Sequence, residues 1–108
     1  MERLQLKTLA ADLQAYGGKT VTVAGWAKSI RDSKAFGFIE LNDGSCFKNT
    51  QIVFERETLE NYDEIAHQNV GCSLVIEGVV VLTPENKQPY EIKAAKIVVE
   101  GESTPDYP

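Results

Sequence analysis

Histidine is almost missing from this chain of 108 residues: His67 is the only one. Cysteine is scarce too, with Cys46 and Cys72 alone. No CxxC pair and no second imidazole exist, so a tetrahedral zinc motif is excluded. The two thiols could pair, but the expectation is small residues in a reducing compartment, because an intracellular chain of this size seldom needs a staple. Long apolar runs are lacking. The longest, around Val79 to Leu82, falls far short of the ~18 residues that span a bilayer, so no membrane is expected as a partner. The opening MERLQLK has no apolar segment followed by a small-residue cleavage site; no secretory signal, and a cytoplasmic setting, are expected. Phosphate loops of the GxxxxGK[ST] or GxGxxG kind are absent, as is a GxSxG elbow. His67 has no evident nucleophile partner, and grouped carboxylates fall only on one predicted helix face. These residues are expected to hold no catalytic site and no metal or cofactor, which leaves a binding module.

Positive charge is in short supply overall. The net charge of −5 argues against the broad basic face that indiscriminate nucleic-acid binding needs. A local patch remains open, because Lys28, Arg31, Lys34 and Lys48 all fall between Val21 and Phe54. The acids concentrate elsewhere, at Glu55, Glu57, Glu60, Asp63 and Glu64, then at Glu100, Glu102 and Asp106.

What the chain does have is alternation. Length and composition fit one domain. Thr8 to Tyr16 reads as a short helix, capped by Thr8 and stopped by Gly17-Gly18. Thr20 to Ile30 is a first strand with Gly25 inside it, the usual mark of a bulge or sharp bend. Trp26 beside it is expected to pack in the core or at a barrel corner. Ala35 to Asn42 is a second strand, Asp43-Gly44 a hairpin turn, and Phe47 to Phe54 a third strand. Thr58 to Asn69 is a helix with Leu59, Tyr62, Ile65 and Ala66 on one face. His67 suits that helix's last turn. Cys72 to Leu82 is a fourth strand, apolar on both alternations and so expected to be central or wrapped. Thr83 to Pro89 is a loop. Tyr90 to Val99 is a fifth strand whose apolar phase slips by one residue, predicting a bulge at Ala94-Ala95. Three strands, a helix and two strands give the element order of the OB-fold, an all-β five-stranded Greek-key barrel with small helices added. The expected organisation is a helical extension over residues 1–18, the barrel over 19–100 and the start of a linker over 101–108.

Successive strand residues point to opposite faces. Ile39 and Leu41 therefore share one face, and Phe36, Phe38 and Glu40 the other. In the third strand Ile52 and Phe54 oppose Asn49, Gln51 and Val53. With the Ile/Leu face as core, Phe38 and Gln51 stand outside. An aromatic ring beside an amide, with Arg31 and Lys28 near by, can stack on a base and bond its edge. In an OB-fold this face, with the loops after strands one and four, is where oligonucleotides or oligosaccharides bind. Those loops carry Lys34 and Lys87.

The run GWAKSIRDSKAFGFIELNDGSCFKNTQIVFE resembles the start of bacterial asparaginyl-tRNA synthetases. The wider pattern of GW, RD, FIEL and a TQIVF strand is similar to the N-terminal anticodon-binding domain of class IIb aminoacyl-tRNA synthetases, which also serve aspartate and lysine. The likeness covers about Lys19 to the closing DYP, and SKAFGFIELNDGSCFKN favours asparagine. It implies that Phe38 stacks on an anticodon base, that Gln51 reads the central uridine and that Arg31 contacts the anticodon. Lys28, Lys34, Phe36 and Lys87 complete the candidate RNA-binding set. The aspartate branch carries a second aromatic two residues after the glutamine; Val53 stands there and receives no stacking role. The loop from Pro84 to Pro89 is implied at the third anticodon base. The implied partner is the anticodon loop of tRNA(Asn). The implied parent is a homodimeric asparagine–tRNA ligase whose ATP and magnesium sites lie in a catalytic domain beyond these residues. A general single-stranded nucleic-acid binder, the anticodon domain of an aspartate–tRNA ligase, and a protein-interaction module anchored by Phe36 and Phe38 stay open.

Overall fold

The structure is a computed structural model that describes residues 4–33, 35–45, 49–68, 70–83 and 90–101. Five strands form a closed barrel: β1 (Thr20–Asp32), β2 (Phe36–Asn42), β3 (Thr50–Glu55), β4 (Ser73–Leu82) and β5 (Tyr90–Gly101), arranged β1-β2-β3-β5-β4. Every pairing is antiparallel except the short parallel one between β3 and β5, where Ile52 meets Ile92 and Val53 meets Lys93. The inward faces fill the barrel. Val23, Ile39, Leu41, Ile52, Phe54 and Ile76 are fully buried.

One long strand makes closure possible. Thr20 to Trp26 of β1 pair with β4, and Trp26 to Asp32 pair with β2. Gly25 sits at the hand-over, where a Cβ would lie 2.9 Å from the carbonyl carbon of Asn42 and closer still to its oxygen. The glycine therefore permits close approach of two backbones. The bulge itself lies further on: the register shifts between Ala27 and Ser29, making Lys28 the extra residue. Trp26 is half-buried over the β2–β3 turn, its ring 3.4 Å from where a Cβ on Gly44 would stand. That is the corner packing expected of it.

The phase slip in β5 is a bulge, as predicted. Glu77 pairs with Lys96 and Gly78 with Ala94, leaving Ala95 unpaired. Ile92, Ala94 and Ile97 thereby all face inward. β4 is hydrogen-bonded along both edges, yet only one of its faces is enclosed. Leu74, Ile76 and Val80 are buried, while Val79 is exposed.

The helices differ most from expectation. The first breaks at Asp12 into α1 (Leu6–Ala11) and α2 (Leu13–Tyr16), and it starts before Thr8, at Gln5. Thr8 is not its cap. The Asp43 carboxylate accepts from the Leu6 N–H at 2.8 Å, and the Ser45 hydroxyl accepts from the Lys7 N–H at 3.0 Å. The cap is thus supplied by the β2–β3 turn, and Leu6 and Leu9 are sealed beneath it. Burial alone would raise the Asp43 carboxyl's pKa, but hydrogen bonds from Ser45 and the Leu6 amide outweigh that and hold it below the usual value. The second helix shrinks to α3 (Tyr62–Ala66). Residues 56–61 turn instead, because Leu59 is drawn into the core and the Asn61 amide donates to the Ile97 carbonyl at 3.0 Å. The third strand starts at Thr50 rather than Phe47. Cys46, Phe47, Lys48, Asn69, the loop 84–89 and the tail 102–108 lie outside the described residues. Cys72 is buried. Among the described residues no helix is long and apolar enough to cross a membrane.

Candidate nucleic-acid interface

The outer face of β1, β2 and β3 carries the candidate site. Ile39 is wholly enclosed (0% exposed), and its neighbour Phe38 is half-buried on the opposite face. The register aligns two rows across the three strands. Arg31 pairs with Phe38, and Phe38 with Val53; Ser29 pairs with Glu40, and Glu40 with Gln51. Ser29, Arg31, Phe38, Glu40 and Gln51 line one open pocket of about 250 Å³. Three residues singled out in the sequence, Arg31, Phe38 and Gln51, are therefore neighbours in space.

Packing stiffens the platform. The Phe36 ring stands edge-on to Phe38, with centroids 5.4 Å apart at 89°. Such pairs are worth about 0.5–1.5 kcal/mol beyond area burial. Phe36 itself is 40% exposed. Val53, directly across from Phe38, is 8% exposed. It faces outward in register yet is nearly buried.

Polar groups complete the pocket. Glu40 lies 3.7 Å from an Arg31 guanidinium nitrogen. The Asn49 amide donates to Glu40 at 3.1 Å, and Asn42 donates to Asn49 at 3.0 Å. The Gly44 N–H donates to Asn42 at 2.7 Å, so the chain of bonds runs back to the β2–β3 turn. Glu40 is the pocket residue that the sequence signals least. The same alternation that turns Phe38 outward turns Glu40 outward, but a lone acid between strand residues gives no signal of its own.

The end of β1 is anchored from below. The Tyr62 hydroxyl donates to Asp32, next in sequence to Arg31. Arg56 stacks over the Tyr62 ring at 4.3 Å and pairs with Asp63 at 3.0 Å. Burial of Tyr62, followed by the bond and charge of Asp32, pushes its phenol up to about 12. Lys28 is exposed on the β1 bulge and does not line the pocket. Lys34 and Lys87 lie outside the described residues. His67 is exposed at the end of α3, with Nδ1 2.7 Å from the Asp63 carbonyl. Among the described residues no group of His, Cys, Asp and Glu could hold a metal ion.

Residues 21–100 match the tRNA-anticodon family model, described as an OB-fold nucleic acid binding domain. The chain belongs to this family. Over all 108 residues this OB-fold domain is 56% identical to the asparagine–tRNA ligase of Acetivibrio thermocellus, of which it covers 23%. The matched part is the N-terminal region of such ligases; the domain thus spans about a quarter of the length of the curated relatives it matches. Among solved structures, the asparaginyl-tRNA synthetase of Entamoeba histolytica is 30% identical, with a TM-score of 0.71 over 88% of this chain and 23% of that one. The Pyrococcus horikoshii asparaginyl-tRNA synthetase shares the fold, with a TM-score of 0.82 at 18% identity over 96% of this chain and 23% of that one.

Proposed function

We propose that this OB-fold domain binds the anticodon loop of tRNA(Asn) as part of an asparagine–tRNA ligase. The observation that carries the reading is the single pocket uniting Arg31, Phe38 and Gln51 on the outer barrel face, with Ile39 sealed behind it. Phe38 offers a stacking surface for a base, Gln51 an amide for its edge, and Arg31 a cation for the adjoining phosphate. Phe36 widens the aromatic surface, and Lys28, Lys34 and Lys87 are further cations able to meet phosphates. Kinship with asparagine–tRNA ligases over the full chain supports tRNA(Asn) over other RNAs. In that reading the intact protein is a cytoplasmic homodimer. It joins asparagine to tRNA using ATP and magnesium in a portion beyond these residues.

The test is direct titration of the 108-residue chain with an anticodon stem-loop bearing a central uridine. Stacking on an aromatic side chain contributes ~1–3 kcal/mol per base, so Phe38→Ala is expected to weaken binding by about that amount. Equal affinity for wild type and Phe38→Ala would remove the platform.

A further inference from the structure

Glu40 plays no part in the reading above, yet it shares the pocket with Arg31, Phe38 and Gln51. We propose that Glu40 makes this pocket choose uracil over cytosine; the inference rests on the anticodon reading.

The reason lies in the near-symmetry of an amide. Gln51 carries an acceptor oxygen and a donor NH2 side by side, and a half turn about its last bond exchanges them. Uracil and cytosine differ on their pairing edge by the same exchange. One offers a carbonyl beside N3–H, the other an amino group beside an N3 lone pair. An amide left free to turn satisfies either base. Among the described residues Gln51 has no hydrogen-bond partner that would fix it.

A carboxylate cannot make that exchange, because in its ionised form it only accepts. Glu40 is the direct cross-strand partner of Gln51 on the same face, a relation that sets Cβ atoms ~5 Å apart. Its orientation is held from two sides, by the Asn49 amide on Oε2 and by Arg31 beside Oε1. Each oxygen keeps spare lone-pair capacity. Two groups side by side meet adjacent atoms of a base edge. With Gln51 on an outer atom of that edge, Glu40 meets N3: an N–H in uracil, which it accepts, and a lone pair in cytosine, which it opposes. The same charge engages Arg31 and repels phosphate. Glu40 therefore lowers affinity while it confers selectivity.

The experiment compares wild type with Glu40→Gln, using stem-loops identical except for U or C at the central position and fluorescence anisotropy as the readout. Wild type is expected to prefer the uridine loop roughly tenfold, the size of one good base-edge contact. In Glu40→Gln that ratio is expected to shrink to within about twofold, mainly because the cytidine loop gains affinity. Glu40→Ala should lose the same preference, and both variants should melt with wild type. An undiminished ratio in Glu40→Gln would overturn the proposal and leave the anticodon reading standing. So would an equal loss of affinity for both loops, which marks a purely structural role, or a wild type that binds both loops alike. Failure of wild type to bind either loop would remove the anticodon reading, and the proposal with it.

Discussion

Tyr62 ties the end of β1 that carries Arg31 to α3, and it does so only while protonated. Its hydroxyl is the donor to Asp32; as a phenolate it would face that carboxylate with like charge. Folding raises its pKa from 10.0 to about 12. Between those two values the folded state holds a proton that the unfolded state has lost. The contribution is therefore complete below the unfolded pKa and is lost as pH climbs through the folded one. Unfolding free energy measured by urea at stepped alkaline pH should fall across that interval for wild type. In Tyr62→Phe the part of the fall due to this group should vanish, at the cost of a lower plateau near neutrality. Ultraviolet titration should show the Tyr62 phenol ionising near pH 12, a step that Tyr62→Phe lacks. Parallel alkaline loss in both proteins would refute the role of the Tyr62–Asp32 bond. By contrast Phe38, which the functional reading needs most, is held by packing alone and is indifferent to pH.

Between residues and barrel, the elements show what can be read from a chain and what cannot. Strand facing was readable because a barrel encloses one alternation and leaves the other wet. Ile39 and Leu41 declared the inside, and Phe38, Glu40 and Gln51 followed by parity. The β5 bulge was readable for the same reason: the apolar phase changes between Ala94 and Ile97, and only an extra residue can restore a single inner face. The α1 cap was not readable. Its acceptor, Asp43, is 37 residues away in sequence from the Leu6 amide it bonds, and nothing near Leu6 hints at it. Glycine in β1 gave a half-answer. It marked a special place, but the cause is close backbone approach at Gly25 while the extra residue is Lys28. Gly25→Ala should therefore be costly. Its Cβ would press on the Asn42 carbonyl, a backbone group fixed by both strands, and overpacking of this kind costs ~1–3 kcal/mol or more. Gly101→Ala is the control, since its Cβ would meet nothing nearer than 3.8 Å. Urea midpoints should separate the two variants clearly; coincident midpoints would mean the barrel flexes at the β1 hand-over more easily than its geometry implies.

At the scale of the whole molecule, charge decides what kind of nucleic-acid binder this is. The chain carries −5 overall, so its long-range field repels RNA. In the proposed reading attraction comes from few cations: Arg31 in the pocket and Lys28 on the β1 bulge, with Lys34 and Lys48 close in sequence. Each phosphate neutralised on a single strand contributes about −0.7 to the slope of log affinity against log salt, which sets an expected slope of roughly −1 to −3. A binder that simply tracks a backbone through a basic groove would show a much steeper dependence. It would also accept any strand that offers phosphates. In the proposed reading selectivity comes from one aromatic surface flanked by an amide and a carboxylate, so a uracil-free homopolymer should compete poorly with the uridine-centred stem-loop, even at low salt where phosphate contacts are strongest. A salt titration of the stem-loop complex, repeated with the homopolymer as competitor, measures both quantities on one sample. A slope near −6 together with equal competition would show that the acidic balance is overcome by a basic track elsewhere on the barrel, and that the Phe38 pocket is incidental to binding.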